Sequence, residues 1–373
     1  MELKLKALFI VPSLQRGGAE TQALDLINCL DSGRIEKYLG VLDREIDQIN
    51  RLDEANVNFH HFNRSRKLDI SVAKDIAHLI DGQSIDVIHC TLQISLFYGW
   101  LAIRLARRKP RLIVALHTTV NVSYREELFD RLLFSRLIRR CDKVIFVCQT
   151  QAEYWGGKYP ELRDKSVVIY NGVDPDYFRR ELFLERGAEL RRSLSIPSEA
   201  GVIVCIAGFR KEKGHRYLVD AFARLEDSSH LILAGDGVLR NEIESLVGNL
   251  NLLDRVHFLG NVSDVRPALA AANLSVLAST AVETFSIAML ESMAMQVPVV
   301  VTDIGGLHEA VQQGINGDIV NMADVDSLEK SLRQYINELE RLRNMGENAR
   351  IRVKEMFSQK KMVDNTEAVL CIR

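Results

Sequence analysis

Short, nearly continuous apolar runs alternate along the chain with longer stretches whose apolar residues recur every three or four positions. In the first half the runs are LKALFIVP, DVIHC, RLIVALHT, DKVIFVCQ and SVVIYNGV; in the second they are GVIVCIAGF, HLILAG, RVHFLG, NLSVLAS and VPVVVTD. Runs of Val, Ile and Leu with no polar alternation predict strands buried on both faces, and helices between them predict parallel sheets. Each half has enough units for its own doubly wound sheet, so the expected fold is α/β, with two Rossmann-like domains facing a cleft. A connection is expected over roughly 171–200, around NGVDPDYF and SIPSEAG. The last stretch, FSQKKMVDNTEAVLCIR, is one amphipathic helix more than the second sheet needs.

A chain of 373 residues, 47% hydrophobic and 26% charged, has room for two cores. No apolar run approaches the roughly 18 residues of a membrane span. The opening MELKLKALFIVPSL reads as a first strand rather than a signal peptide, because its apolar run is short and ends at Pro-Ser. The six cysteines are scattered without metal-ligand spacing, which predicts reduced thiols and a cytoplasmic location. The net charge of -2 hides an asymmetry: 27 basic and 23 acidic residues over positions 1–180 give +4, and the remainder carries -6. This excludes a strongly basic nucleic-acid binder and leaves a first half that favours an anionic partner.

Open parallel sheets bind ligands beyond the carboxyl ends of their strands, so residues just after the strands are the candidates. Gly17 and Gly18 open a helix after the first strand, where free amides and close backbone approach suit a phosphate; a plain βα turn is the alternative. His117 follows the fifth strand, and a lone histidine there is either functional or merely exposed. Arg210 and Lys213 lie in the turn of IAGFRKEKGHRYLVDAF, as cations for a diphosphate or as a solvated charge run. In ETFSIAMLE, Ile287, Leu290 and Ala294 recur at helical spacing and mark a buried stripe, with Glu291 on or beside it. An unpaired carboxylate is costly there, so Glu291 needs a buried partner or a cleft. The amides of Phe285, Ser286 and Ile287 begin this helix and would favour a diphosphate, which lets Glu291 reach a diol such as ribose and Glu283 reach a hydroxyl of the group the phosphates carry. The alternative makes Ser286 an N-cap and both glutamates surface charges.

The spacing Glu283-x7-Glu291 in VETFSIAMLESMAMQVPVVVTDIGGLHEAV resembles the E-x7-E signature of glycosyltransferase family 4, retaining enzymes of the GT-B fold. GGAE, VIYNGVDPDYF, GFRKEKGH, LAGDG, VHFLGNVSDV and NGDIV follow in the family's order, so the resemblance covers essentially the whole chain. It implies an N-terminal acceptor domain, residues 1–175, joined by a C-terminal helix within 357–373 that crosses back to it, and a nucleotide-sugar domain, residues 176–356. It further implies that Glu291 binds ribose, Glu283 a donor-sugar hydroxyl, and Lys213 with a nearby arginine the leaving diphosphate, which Gly17 and Gly18 also touch. His117 matches a histidine close to the transferred sugar. The implied reaction moves a hexose or N-acetylhexosamine from a UDP- or GDP-sugar to a saccharide or lipid-linked acceptor in surface polysaccharide or glycolipid synthesis.

Two positions depart from the family's pattern. Many relatives have arginine where this chain has Gly208, which leaves Arg210 as the substitute, and many have glycine where this chain has Thr284. No metal or other cofactor is expected: the D-x-D triplets at 174–176 and 324–326 lie in the connection and at a helix start, where aspartate serves turns and caps. RLARRKPR (104–111) and the amphipathic stretch carrying Leu128, Phe129, Leu132, Arg131, Arg136, Arg139 and Arg140 raise peripheral contact of the N-terminal domain with the inner face of a membrane, against the alternative of solvated helices on their own sheet. Two other readings of the whole chain are a non-catalytic nucleotide-sugar-binding or scaffolding protein and a GT-B-type sugar-nucleotide epimerase. The presence of Glu283, Glu291 and Lys213 together argues against the former.

Overall fold

The computed structural model describes residues 4–15, 17–66, 68–117, 133–225 and 228–372. The chain divides into two compact units, Met1–Asn171 with Gln359–Arg373, and Gly172–Ser358.

The strands of unit 1 are β1 (Leu5–Val11), β2 (Ile35–Val41), β3 (Val57–His61), β4 (Val87–Thr91), β5 (Arg111–Leu116), β6 (Lys143–Phe146) and β7 (Ser166–Val168). Its helices are α1 (Gly18–Cys29), α2 (Ile70–Gln83), α3 (Leu92–Leu105), α4 (Ser135–Ile138) and α5 (Gln149–Lys158). The strands form one parallel sheet in the order β3-β2-β1-β4-β5-β6-β7. Alternate residues of each strand point to opposite faces. Leu8 and Ile10 of β1 therefore join Ile88, Val114 and Phe146 in one core, while Ala7, Phe9 and Val11 join Val87, Ile113 and Ile145 in another. Two buried faces are the reason these strands read as unbroken apolar runs.

Two strands of unit 1 lie outside the predicted runs, β2 and β3. Lys37 sits in the middle of β2 with only 1% of its surface exposed. Its ammonium donates to the carbonyls of Leu30 (3.1 Å) and Asn28 (3.4 Å), groups that the end of α1 leaves over. Burial pulls the Lys37 pKa below its ordinary value.

Unit 2 contains β8 (Gly201–Ile206), β9 (Ser229–Ala234), β10 (Val256–Gly260), β11 (Leu274–Leu277), β12 (Val299–Thr302) and β13 (Gly317–Val320). Its helices are α6 (Leu184–Ser193), α7 (His215–Phe222), α8 (Arg240–Asn249), α9 (Arg266–Ala271), α10 (Ile287–Ala294), α11 (Leu307–Ala310), α12 (Val325–Ile336) and α13 (Leu339–Met356). Its sheet is parallel too, in the order β10-β9-β8-β11-β12-β13. The stretch expected to connect the domains is built into this unit. Gly187 on α6 lies against the backbone of Ala270 and Ala271, and Arg180 and Arg191 donate to the carbonyls of Ala272 and Ala271, both at 2.8 Å. These arginines satisfy the carbonyls left over at the buried C-terminal end of α9.

The chain then returns to unit 1 as α14 (Gln359–Cys371). Met362, Val363, Val369 and Leu370 enter the core under α1, Glu367 pairs with Arg34, and Arg111 donates to the carbonyl of Leu370. This is the extra amphipathic helix of the sequence.

Four of the five cations of 104–111 have local work: Arg104 lies 5.4 Å from the Trp100 ring centroid. Lys109 caps α3 through the carbonyls of Ile103 (2.6 Å) and Ala106 (2.7 Å), Arg108 bonds the carbonyl of Ile85 (2.8 Å), and Arg111 holds α14. Leu128, Phe129, Arg131 and Leu132 of the second basic stretch lie outside the described residues. Of its other cations, Arg139 pairs with Glu161, and Arg140 lies 5.9 Å from the Trp100 ring centroid. Among the described residues no helix is long and apolar enough to cross a membrane.

Candidate active site

In unit 2 the strand order reverses between β8 and β11, the place where doubly wound sheets bind ligands. Lys213 follows β8 and Glu283 follows β11. Their side chains meet, Nζ to Oε2 at 2.6 Å, with 17% and 10% of the side chains exposed. Ser279 donates to the same carboxylate oxygen at 3.0 Å, and Thr302 fixes Ser279 by donating to its carbonyl at 2.6 Å.

The surrounding loops are knitted through backbone. Thr280 N–H donates to the carbonyl of Glu212 (2.8 Å), and Gly306 N–H to that of Thr284 (2.7 Å). Two glycines at positive φ allow this approach: a side chain on Gly214 (φ +65°) would overlap the carbonyl of Ala278, and one on Gly305 (φ +56°) the carbonyl of Glu283.

Helix α10 starts beside this pair. Ser286 is its N-cap and accepts from Met289 N–H at 3.3 Å. The Phe285 ring packs against Phe357 with centroids 5.2 Å apart. The side chains of Phe285 and Ser286 are thus engaged in the fold, and the leftover amides of the first turn, at Ile287 and Ala288, are the groups a ligand can use. The buried side of α10 consists of Met289, Leu290, Met293 and Ala294. This corrects the expected stripe: Ile287 is half-buried and shares its side of the helix with half-buried Glu291 one turn on. Glu291 therefore stands beside the apolar stripe, on the side Ile287 presents. Arg210 is exposed and pairs with Glu212 at 3.3 Å, and its Nε lies 3.7 Å from where a side chain on Gly208 would begin. Arg210 thus covers the position from which many relatives project their arginine.

In unit 1 the reversal falls between β1 and β4. Gly17 and Gly18 stand at the start of α1, with Gly17 in extended backbone as its N-cap. The carboxylate of Glu20 folds over Gly17 into the space a side chain there would take, and burial raises its pKa. His117 directly follows β5, half-buried, and desolvation pulls its pKa down to about 4. Beside it a cavity of about 30 Å³ is lined by His117, His89, Gln22, Thr91, Asn171 and Thr366, among others. His89 is 3% exposed, has a pKa lowered to about 4 by burial, and among the described residues has no hydrogen-bond partner for Nδ1.

The structure thus gathers Lys213, Glu283, Phe285, Ser286, Ile287, Glu291 and Arg210 at the carboxyl edge of one sheet, and Gly17, Gly18 and His117 at that of the other. Sequence reasoning missed Ser279 and His89. Ser279 has no signal beyond its closeness to Glu283, whereas His89 is a lone polar residue inside the apolar run DVIHC. Among the described residues no group of three or more His, Cys, Asp or Glu is placed to hold a metal ion. Asp174 accepts from Asp176 N–H at 2.8 Å in a turn, and Asp324 caps α12 through Ser327 N–H at 2.9 Å.

Two parallel doubly wound units, each with its candidate residues at the switch point, are the architecture of the GT-B glycosyltransferases. Two family models match the chain: Glycosyltransferase Family 4 over residues 16–177 and Glycosyl transferases group 1 over residues 187–352. The chain belongs to glycosyltransferase family 4. It is similar to the N-acetyl-alpha-D-glucosaminyl L-malate synthase of Bacillus anthracis, 29% identical over 85% of this chain and 82% of that one. It is also similar to a Campylobacter jejuni protein named N-acetylgalactosamine-N,N'-diacetylbacillosaminyl-diphospho-undecaprenol 4-alpha-N-acetylgalactosaminyltransferase, 26% identical over 65% of this chain and 64% of that one. Among solved structures, Anabaena HepE in complex with UDP superposes with a TM-score of 0.86 at 23% identity, covering 98% of this chain and 99% of that one.

Proposed function

We propose that this glycosyltransferase is retaining and transfers a hexose or N-acetylhexosamine from a UDP-sugar to a saccharide or lipid-linked acceptor in surface polysaccharide or glycolipid synthesis, without a metal ion. The observation that carries the reading is the Lys213–Glu283 pair of 2.6 Å at the switch point of unit 2, beside the start of α10. Lys213, Arg210 and the first amides of α10 together supply positive charge for a diphosphate, the role a divalent cation plays in other transferases. Glu283 then serves a hydroxyl of the transferred sugar and Glu291 the ribose. The acceptor and His117 belong to unit 1, with Gly17 and Gly18 as backbone contacts to the diphosphate.

Retention follows if the acceptor attacks from the face the diphosphate leaves, with the departing phosphate taking the acceptor's proton. The protein's share is then electrostatic, and one well-placed charge or donor of this kind contributes on the order of 100- to 1,000-fold in rate. The preference for UDP rests on relatives: Anabaena HepE has been solved with UDP and with UDP-glucose, and the Bacillus anthracis and Campylobacter jejuni proteins are named for N-acetylhexosamine transfer.

The test is a thermal-shift screen against UDP-, GDP-, ADP- and CMP-sugars with and without EDTA. A ligand bound only by the folded state raises the melting temperature. The expected result is a shift from a UDP-sugar that EDTA does not change. A shift from another nucleotide alone would replace the donor, and a shift that EDTA abolishes would overturn the metal-free reading. No shift from any donor would favour a non-catalytic protein of the same fold.

A further inference from the structure

The cavity under α1 and α14 holds an observation the donor site does not use. His89 lies on β4 with its face toward the helices, 3% exposed, and among the described residues its Nδ1 has no hydrogen-bond partner. A buried nitrogen left unpaired costs about 1–3 kcal/mol, so such atoms are normally met by protein or by an ordered water. The space beside it is about 30 Å³. One water needs roughly 10–15 Å³ by the same kind of measure, together with two to four polar neighbours. Both requirements are met: the walls include His89, His117, Gln22, Thr91, Asn171 and Thr366. The Thr366 hydroxyl already donates to the carbonyl of Met362 at 2.8 Å, which leaves its oxygen lone pairs as acceptors.

We infer that His89 is a positioning residue for His117, acting through a single buried water that bridges His89 Nδ1 to the His117 ring. A neutral imidazole carries its proton on one nitrogen, and the partner of one nitrogen decides which. Both rings belong to the class that stays neutral at pH 7, because burial disfavours the imidazolium. The bridge therefore fixes the tautomer and tilt of His117 rather than its charge. The sheet makes this possible: His89, Thr91 and Ala115 point to the same face, and α14 closes the space with Met362 and Thr366. The catalytic consequence rests on the proposed placement of His117 beside the transferred sugar; the water and the tautomer do not.

The experiment combines a high-resolution crystal structure of the full chain with long-range 1H–15N spectra of the imidazoles at pH 7.5, on wild type and on His89→Phe, His89→Gln and Thr366→Val. The expected wild type shows one ordered water within hydrogen-bond distance of His89 Nδ1 and a His117 ring nitrogen, and one His117 tautomer. His89→Phe is expected to give two His117 tautomers and to lower kcat on the order of tenfold, the scale seen when the partner of a functional histidine is lost, with donor KM changed less than about twofold. His89→Gln, which restores a polar atom, should recover the single tautomer, and Thr366→Val should weaken it. A dry cavity in the wild type, or a folded His89→Phe with the wild-type His117 tautomer, overturns the inference. If His89→Phe does not fold, the wild-type cavity alone decides. Mixed tautomers with unchanged turnover would leave the bridge standing and remove His117 from the reaction.

Discussion

Replacing Gly305 by alanine tests whether the loop after β12 holds Glu283 in place. Two costs can be separated by comparison with Gly314. Both glycines have positive φ, +56° and +74°, so alanine at either pays roughly 1–2 kcal/mol for the left-handed conformation. A side chain at 314 meets nothing within 4 Å, whereas one at 305 overlaps the carbonyl of Glu283. Relief requires one loop to move away from the other, which also threatens the 2.7 Å bond from Gly306 N–H to the carbonyl of Thr284, worth about 1 kcal/mol. Gly314→Ala should thus lower Tm by roughly 2–8 °C, at about 2–4 °C per kcal/mol for a unit of this size, and leave donor affinity unchanged. Gly305→Ala should lose at least about 2–3 kcal/mol, and a displacement of about 1 Å at Glu283 should cost on the order of 100-fold in turnover. Thermal unfolding, calorimetry with the nucleotide sugar and a turnover assay read the three quantities. If Gly305→Ala matched Gly314→Ala in all of them, the close approach would have no part in positioning Glu283.

Three further outcomes are expected. A double-mutant cycle of Lys213→Met and Glu283→Gln, followed by urea unfolding, should give a coupling of about 1–3 kcal/mol, since either single change leaves its partner's charge largely buried; additive effects would show the 2.6 Å pair to be energetically idle. Glu291→Gln should weaken donor binding about tenfold while leaving Tm within roughly 2 °C, because Gln keeps one acceptor of the pair a diol needs; unchanged calorimetric affinity would remove the ribose role. Stability should fall in acid. His89 and His215, 3% and 4% exposed, have folded pKa values pulled by burial to about 4, below the unfolded value of about 6.5. The unfolded chain therefore binds more protons between those values, so the contribution is complete above about pH 6.5 and lost as pH falls toward 4, by up to about 3 kcal/mol per histidine. Equal stability at pH 7.5 and pH 5 would contradict this.

What the sequence disclosed follows from what each residue does. Strands β1, β5, β6 and β8 are apolar on both faces and stand out as runs. Strand β2 does not, because Lys37 interrupts it, and its reason for being there is the end of α1, a neighbour no local pattern reveals. Glu291 stood out because a carboxylate beside an apolar stripe needs an explanation, and Glu283 because it falls between a strand and a helix start. The details of that stripe were not legible: Ile287 has the spacing of a core residue but starts the helix and is only half-buried. Ser279 meets Glu283 only through contacts made by folding, and a single serine carries no trace of such a partner in its immediate sequence; His89 did leave a mark, as the lone polar residue of its apolar run.

Helix α14 imposes an order on the making of this protein. The polypeptide leaves unit 1 at Asn171 and returns at Gln359. At ribosomal speeds of about 5–20 residues per second, roughly ten to forty seconds separate the two. During that interval the sheet face of Phe9, Ile113 and Ile145 lacks the Met362, Val363 and Leu370 that finally share its core. Unit 2 is complete first, although it begins second. The nascent first unit must wait with one apolar face partly uncovered, a window in which chaperones or a neighbouring nascent chain can reach it.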